Sequence, residues 1–454
     1  MSPEWVSILA LVALFVLGTV LPINMGALAF VAAWLVGMYS LGLPEKEIIA
    51  GISGDLVLTL VGVTYLFAIA RNNGTVDLIV RKAVQAVGGR VALIPWVMFA
   101  VTAVLTAIGA ASPAACAIIG PIALGFAGRY RINPLLMGMF VVHGAQAGGF
   151  SPISIYGTIT NSVMRDNDLP VSELALFLTS LVVNLVIAAV LFLALDGREM
   201  LGRRIDVDEN AVPVEGDTDG DTGTGPATAS GTGGTTTATR TTPATGTGTR
   251  VTVDQVVTLV AFLAVAVVAL VLDKNIGFTA ITAAVVLTAL FPKQQKGAIG
   301  QIAWATVLLV AGVSTFAAVL EAAGVSQYVG SWAAGLGAAV VGALVLCYLG
   351  GVVSAFASST ALLPIIIPIA IPLIAAGSGA GAGVSAIGLV AALAVSSTIV
   401  DVSPFSTNGA LMLANRPDTI TEDRFYRQIL GYSAIVVVFG PLLVWLAVVV
   451  PGWV

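Results

Sequence analysis

The sequence predicts an all-α polytopic membrane protein made of two inverted repeats, each with five spanning helices (one broken) and a re-entrant helical hairpin. Three observations lead there. The chain carries long apolar runs with little charge, its motifs recur in order some 250 residues later, and its basic residues are distributed to one side.

Of 454 residues, 58% are hydrophobic and 9% charged, against about 25% charged in soluble domains. Runs such as Trp5–Val20, Met25–Leu43, Val256–Leu272 and Tyr432–Val450 approach or reach the roughly 20 apolar residues that cross about 30 Å of hydrocarbon. Lipid offers backbone groups no partners, so only helices or a closed barrel can span it. Unbroken apolar runs without period-two alternation exclude the barrel. The net charge of −5 arises largely from Asp206, Asp208, Glu209, Glu215, Asp217, Asp219 and Asp221, which share one polar segment. No basic patch points to nucleic acid. Cys116 and Cys347 lie in apolar segments, which argues against a structural disulfide. The N-terminus lacks a charged n-region and a cleavage site, so Trp5–Val20 reads as a retained helix.

Residues 204–250 form a linker, acidic at first and then rich in Gly, Thr and Ala. That composition buries too little apolar surface to offset its ordering entropy, and disorder is expected. The linker separates a first repeat (1–203) from a second (251–454). Leu60-Val-Gly-Val-Thr64 matches Val310-Ala-Gly-Val-Ser314. Ala110-Ala-Ser-Pro-Ala114 matches Ala357-Ser-Ser-Thr-Ala361. Ser151-Pro-Ile-Ser-Ile-Tyr-Gly157 matches Ser403-Pro-Phe-Ser-Thr-Asn-Gly409. The offsets are 250, 247 and 252 residues. Each match is weak alone, but three in one order at a nearly constant offset mark an internal repeat. The hairpins are expected at about 91–127 and 337–376, and the broken helices at about 133–165 and 382–415.

Five crossings per half turn the second half upside down. With the N-terminus outside, all but three of the 19 Lys and Arg residues (Lys46, Arg165 and Lys274) fall inside. The positive-inside rule then places both termini outside and the linker in the cytoplasm. Residues 71–90 carry four basic residues, whereas their counterpart 321–337 carries Glu321 and no base.

Inverted repeats with helices broken near the midplane are an architecture of secondary transporters. Helix N-termini at such breaks offer N–H groups to an anion, and Pro and Gly loosen the backbone there. Ser151, Ser154, Ser403, Ser406, Thr407 and Asn408 are therefore candidate substrate ligands, flanked at the hairpin tips by Ser112, Ser359 and Thr360. The bland alternatives are a proline kink satisfied by serine, and helix capping. Asp401 is the only acid expected deep in the second half, and its counterpart is Gly149. Intramembrane acids are costly and mark ion paths, so Asp401 is a candidate coupling residue, or else an N-cap. Ser358 could join it in holding a cation, and sodium is expected near Ser112, Ser151, Ser358 and Ser403. His143, the sole histidine, reads as a proton relay or as a helix-packing hydrogen-bond partner. No nucleotide-binding motif is present, and no cofactor is expected beyond a sodium ion or proton.

Three segments carry a resemblance to a known family: Leu21-Pro-Ile-Asn-Met-Gly26, Gly62-Val-Thr-Tyr-Leu-Phe67 and Gly148-Gly-Phe-Ser-Pro-Ile-Ser154. With them the chain resembles the malonate and C4-dicarboxylate carriers of the MatC type, most of all from Pro3 to about Arg165. These belong to the ion-transporter superfamily with the divalent-anion/sodium symporters. In those relatives Ser-Asn-Thr hairpin tips and two broken helices hold the substrate. Ser358-Ser-Thr360 is similar to such a tip, whereas Ala111-Ser-Pro113 departs from it, which puts one of two sodium sites in doubt. The resemblance implies a homodimer in the inner membrane with an elevator-like movement. The expected activity is secondary, cation-coupled transport of a small dicarboxylate such as malonate or succinate. Other superfamily activities (arsenite export, cation/proton antiport, citrate or gluconate uptake) are the nearest alternatives. An intramembrane hydrolase or a channel is the alternative outside the class.

Overall fold

The structure, a computed structural model, describes residues 2–203 and 251–452 apart from 22, 87, 89, 196, 273, 293–296, 335–338, 356–358 and 378–383. The expected linker 204–250 and Ser358 lie outside the described residues. Those described form helices joined by turns, with no β-strand. The chain is an all-α, multi-pass membrane protein.

The helices of the two halves follow one another in the same order. α1 (Pro3–Val20) corresponds to α12 (Val253–Val271), and α2 (Met25–Tyr39) to α13 (Ile276–Leu290). The short α3 (Glu45–Ala50) corresponds to a single 3-10 turn, Ile299–Gln301. Next come α4 (Gly54–Asn72) with α14 (Trp304–Ala322), and α5 (Thr75–Ala86) with α15 (Val325–Ala334). A hairpin follows in each half, α6 (Leu93–Ala107) and α7 (Ser112–Tyr130) against α16 (Ala339–Ser354) and α17 (Ser359–Gly377). A broken helix comes after it, α8 (Pro134–Gly148) and α9 (Ile155–Asp166) against α18 (Ala386–Ile399) and α19 (Thr407–Ala414). Each half closes on a long helix, α10 (Glu173–Ala194) or α20 (Glu422–Val444). The first half ends in one further turn, α11 (Gly197–Met200). Within 71–90 and 321–337, the segments whose charge differs between the halves, residues 75–86 and 325–334 are helical.

Lengths separate the roles. α10 and α20 have 22 and 23 residues, about 33–35 Å at 1.5 Å per residue, enough to cross the hydrocarbon. The first hairpin arms α6 and α16 have 15 and 16, or about 23 Å, and the returning arms α7 and α17 have 19 each. Local signals start these helices where the sequence allows. Asn133 caps α8 through the Leu135 N–H at 3.0 Å with Pro134 at the first position, a place where proline forfeits no bond.

Packing shows how the halves are related. Gly26, at the start of α2, lies against Leu308 and Gly312 near the start of α14, and Gly37, near the end of α2, lies by Val319 near the end of α14. α2 and α14 therefore run in the same direction. Likewise Gly277 of α13 abuts Leu58 and Thr59 of α4, and Tyr65 reaches Thr288 at 3.4 Å. α13 therefore runs with α4. Since α2 and α4 meet at one end through α3 and run oppositely, α13 opposes its counterpart α2. The second half is the first turned over. Contacts exchange accordingly: α2 packs on α14 as α13 packs on α4, and α7 meets α19 as α17 meets α9.

One end of the bundle brings together Asn72 with Gln301, Asn73 with Thr258, and Arg203 with the Tyr130 carbonyl. The other brings together Ser162 and Asn275 on Asp55, and Trp5 with Tyr328.

Candidate functional site

Both breaks are held by the same device. In the first, the Ser151 hydroxyl donates to the Ala107 carbonyl at the end of α6, at 2.5 Å. In the second, the Ser403 hydroxyl donates to the Ala355 carbonyl just past α16, at 2.8 Å. Each bond ties a break to the tip of its own hairpin. The next serine caps the following half-helix. Ser154 donates to the Ser151 and Gly149 carbonyls and accepts the Gly157 N–H at 3.3 Å. Ser406 donates to the Ser403 carbonyl at 2.8 Å and accepts the Gly409 N–H at 3.2 Å. The closing glycine of each motif allows the turn to close. A Cβ on Gly157 would lie 2.0 Å from the Ser151 carbonyl oxygen, and one on Gly409 would lie 2.0 Å from that of Ser403. The motif's shared serines thus have hydroxyls already engaged by backbone, and they position the site from one step back.

The side chains that meet at the centre come from other positions. Asn408, in the first turn of α19, donates through Nδ2 to Ser112 Oγ at 2.8 Å and to Asp401 Oδ2 at 3.1 Å. Its Oδ1 is buried without a partner. Ser112 opens α7, so this contact joins the hairpin tip of one half to the break of the other. The Tyr156 hydroxyl, from the first turn of α9, interacts with Ser112 and with Ser359 of the second hairpin. Ser359 also meets Ser354 Oγ at 2.7 Å and donates to the Ser397 carbonyl at 3.1 Å. Asp401 follows α18, interacts with the Ser406 hydroxyl, and is the only Asp, Glu, Lys or Arg buried among the described residues. The capping alternative for Asp401 is occupied by Ser406, whose hydroxyl takes the Gly409 N–H.

The remaining expected residues are placed differently. Thr360 is buried beside Ser359 in the first turn of α17, while Thr407 is exposed. His143 is fully buried in α8 between Asn184 Oδ1 of α10 (2.9 Å) and Tyr432 Oη of α20 (2.6 Å). It thereby joins three helices through its two ring nitrogens, which fits its packing reading. Tyr156 is the site residue that sequence reasoning passed over. The signal was present: aligning the two Ser-Pro motifs places Tyr156 opposite Asn408.

The cluster has hydroxyls, one amide, helix N-termini and one carboxylate, with no buried Lys or Arg among the described residues. Such donors suit an anion, because N–H groups at the starts of α7, α9, α17 and α19 lack intrahelical partners.

Residues 1–149 match the family model for the N-terminus of the dicarboxylate carrier protein MatC, which bears out the resemblance over that part of the chain. A sequence comparison with curated proteins gives no match. Among solved structures, MtrF of Neisseria gonorrhoeae is 12% identical at a TM-score of 0.55, covering 99% of this chain and 95% of its own; it is described as illuminating a class of antimetabolite efflux pumps. YdaH of Alcanivorax borkumensis, described as a transporter of unusual topology, is 13% identical at a TM-score of 0.50, covering 88% of this chain and 87% of its own. At these identities the likeness concerns the fold. The chain is thus similar to a dicarboxylate carrier family over its first 149 residues and shares the fold of two transporters.

Proposed function

We propose that the protein is a secondary carrier that moves a small dicarboxylate, of the size of malonate or succinate, together with a cation across the inner membrane. The carrying observation is the junction of Ser112, Asn408 and Asp401, where a hairpin tip of one half and the broken helix of the other share polar bonds. The match of residues 1–149 to a dicarboxylate carrier family supports the substrate class.

Cation coupling follows from charge. A dicarboxylate brought beside Asp401 would gather three carboxylates where no Lys or Arg is buried among the described residues. Such an uncompensated cluster is costly in a low-dielectric interior. A sodium ion or a proton arriving with the substrate removes that penalty, and Asp401 is the group to receive it. Alternating access would turn on the pseudo-two-fold relation of the halves, with the short hairpins re-entrant and both termini outside. A homodimer remains the family's implication.

Purified protein in proteoliposomes provides the test. Labelled malonate or succinate should exchange in saturable counterflow, with a rate that depends on sodium or pH. Failure of every small dicarboxylate to bind or exchange sinks this reading. Net movement only outward, on substrates other than dicarboxylates, would favour an efflux activity of the kind ascribed to MtrF.

A further inference from the structure

The pseudo-symmetry pairs Tyr156 with Asn408 and Gly149 with Asp401, at offsets of 252 residues. Each pair surrounds one break, yet the contents are exchanged. In the second half a small amide leaves room for an acid, and Asn408 Nδ2 binds Asp401 at 3.1 Å. In the first half a large ring leaves room for nothing: a Cβ on Gly149 would lie 2.8 Å from Tyr156 Cδ2. Phe150 backs the same ring, with centroids 5.5 Å apart. The ring is therefore wedged, and its hydroxyl end meets serines from both hairpin tips, Ser112 and Ser359. A tyrosine that merely fills a core needs no such pair of partners.

We propose that Tyr156 is a substrate-contacting residue that donates its hydroxyl to one carboxylate of the dicarboxylate, while its wedged ring forms the wall that limits substrate length. This rests on the dicarboxylate reading above and adds to it a division of labour within the site. The opposite end holds the unpartnered Asn408 Oδ1 and the Asp401 carboxylate. These are acceptors, which suit the cation and not an anionic group. The Tyr156 hydroxyl and the Ser112 hydroxyl, whose oxygen accepts from Asn408, have protons to offer a carboxylate, while the Ser359 hydroxyl donates to the Ser397 carbonyl. The two ends of the substrate are then read by different chemistry although the halves are repeats.

The test compares Tyr156→Phe and Tyr156→Leu with the wild type, measuring binding of malonate, succinate and glutarate and the sodium or proton midpoint of uptake. Tyr156→Phe keeps the ring and removes one hydrogen bond to a charged group, so dicarboxylate affinity should fall roughly 10- to 100-fold. The cation midpoint should stay within about twofold, because the hydrogen bond of Asn408 to Asp401 is untouched. Tyr156→Leu removes the wall and should shift preference toward glutarate over malonate. If Tyr156→Phe binds every dicarboxylate like the wild type, or moves the cation midpoint as far as the affinity, the proposal is overturned. An equal loss on all three substrates in Tyr156→Leu would reduce the ring to packing; should that variant not insert, Tyr156→Phe decides alone. Wild-type protein that binds no dicarboxylate brings down the carrier reading and this inference together. Wild-type binding with an unaltered Tyr156→Phe brings down only this one.

Discussion

In the first break Ser151 holds the hairpin carbonyl of Ala107, Ser154 caps α9, and Tyr156 packs over Gly149. In the second, Ser403 holds Ala355, Ser406 caps α19, and Asn408 binds Asp401. Where the two motifs agree, the residues build the break. Of the three positions where they differ, only the pair Tyr156 and Asn408 is buried towards the centre on both sides; Phe405 and Thr407 are exposed. Repetition thus marks architecture here, and one departure from it marks the candidate chemistry. The physical reason is that turned-over halves need identical turns, whereas a substrate and a cation need different ligands.

The comparison can be broken most severely at the shared glycines. Gly157→Ala and Gly409→Ala each place a Cβ 2.0 Å from a carbonyl oxygen, an overlap that only backbone movement relieves. Overpacking of this kind costs about 1–3 kcal/mol and sometimes more, and both variants should lose most of their monodisperse protein in detergent. If one tolerates alanine and the other does not, the turns are not equivalent.

Asp401→Asn attacks a position where the halves differ. Uptake should fall at least about tenfold, and its sodium or pH dependence should flatten, given the cost of an unpaired buried charge that the cation normally offsets. Wild-type ion dependence in this variant would remove Asp401 from coupling.

Ser151→Ala and Ser403→Ala return to the shared frame. Each leaves one hairpin carbonyl without its partner, which should lower stability by about 1–3 kcal/mol and loosen substrate binding through hairpin position. The two should resemble each other in thermal unfolding. A loss of affinity in Ser403→Ala with no change in stability would instead make Ser403 a direct ligand. The caps come last: Ser154→Ala and Ser406→Ala should each cost about 1 kcal/mol, read as a small drop in melting temperature without a change in ion dependence.

Several features were legible in the sequence because they depend on composition or on near neighbours. Apolar run length dictated a helical membrane protein, and in-order motifs announced the repeat. The Ser-Pro-x-Ser-x-x-Gly spacing located both breaks, and a lone deep acid singled out Asp401. Tertiary structure decided the rest. A hydroxyl is the same in sequence whether it meets a backbone carbonyl or a substrate, so only packing showed that Ser151, Ser154, Ser403 and Ser406 are already engaged. The same holds for His143, whose partners Asn184 and Tyr432 lie on other helices. Tyr156 entered the site, and Asn408 found Ser112 across 296 residues of sequence, because turning one half over brings each hairpin tip to the other half's break. Hydrogen bonds are short and directional, and only the folded chain decides which distant donors come within their reach.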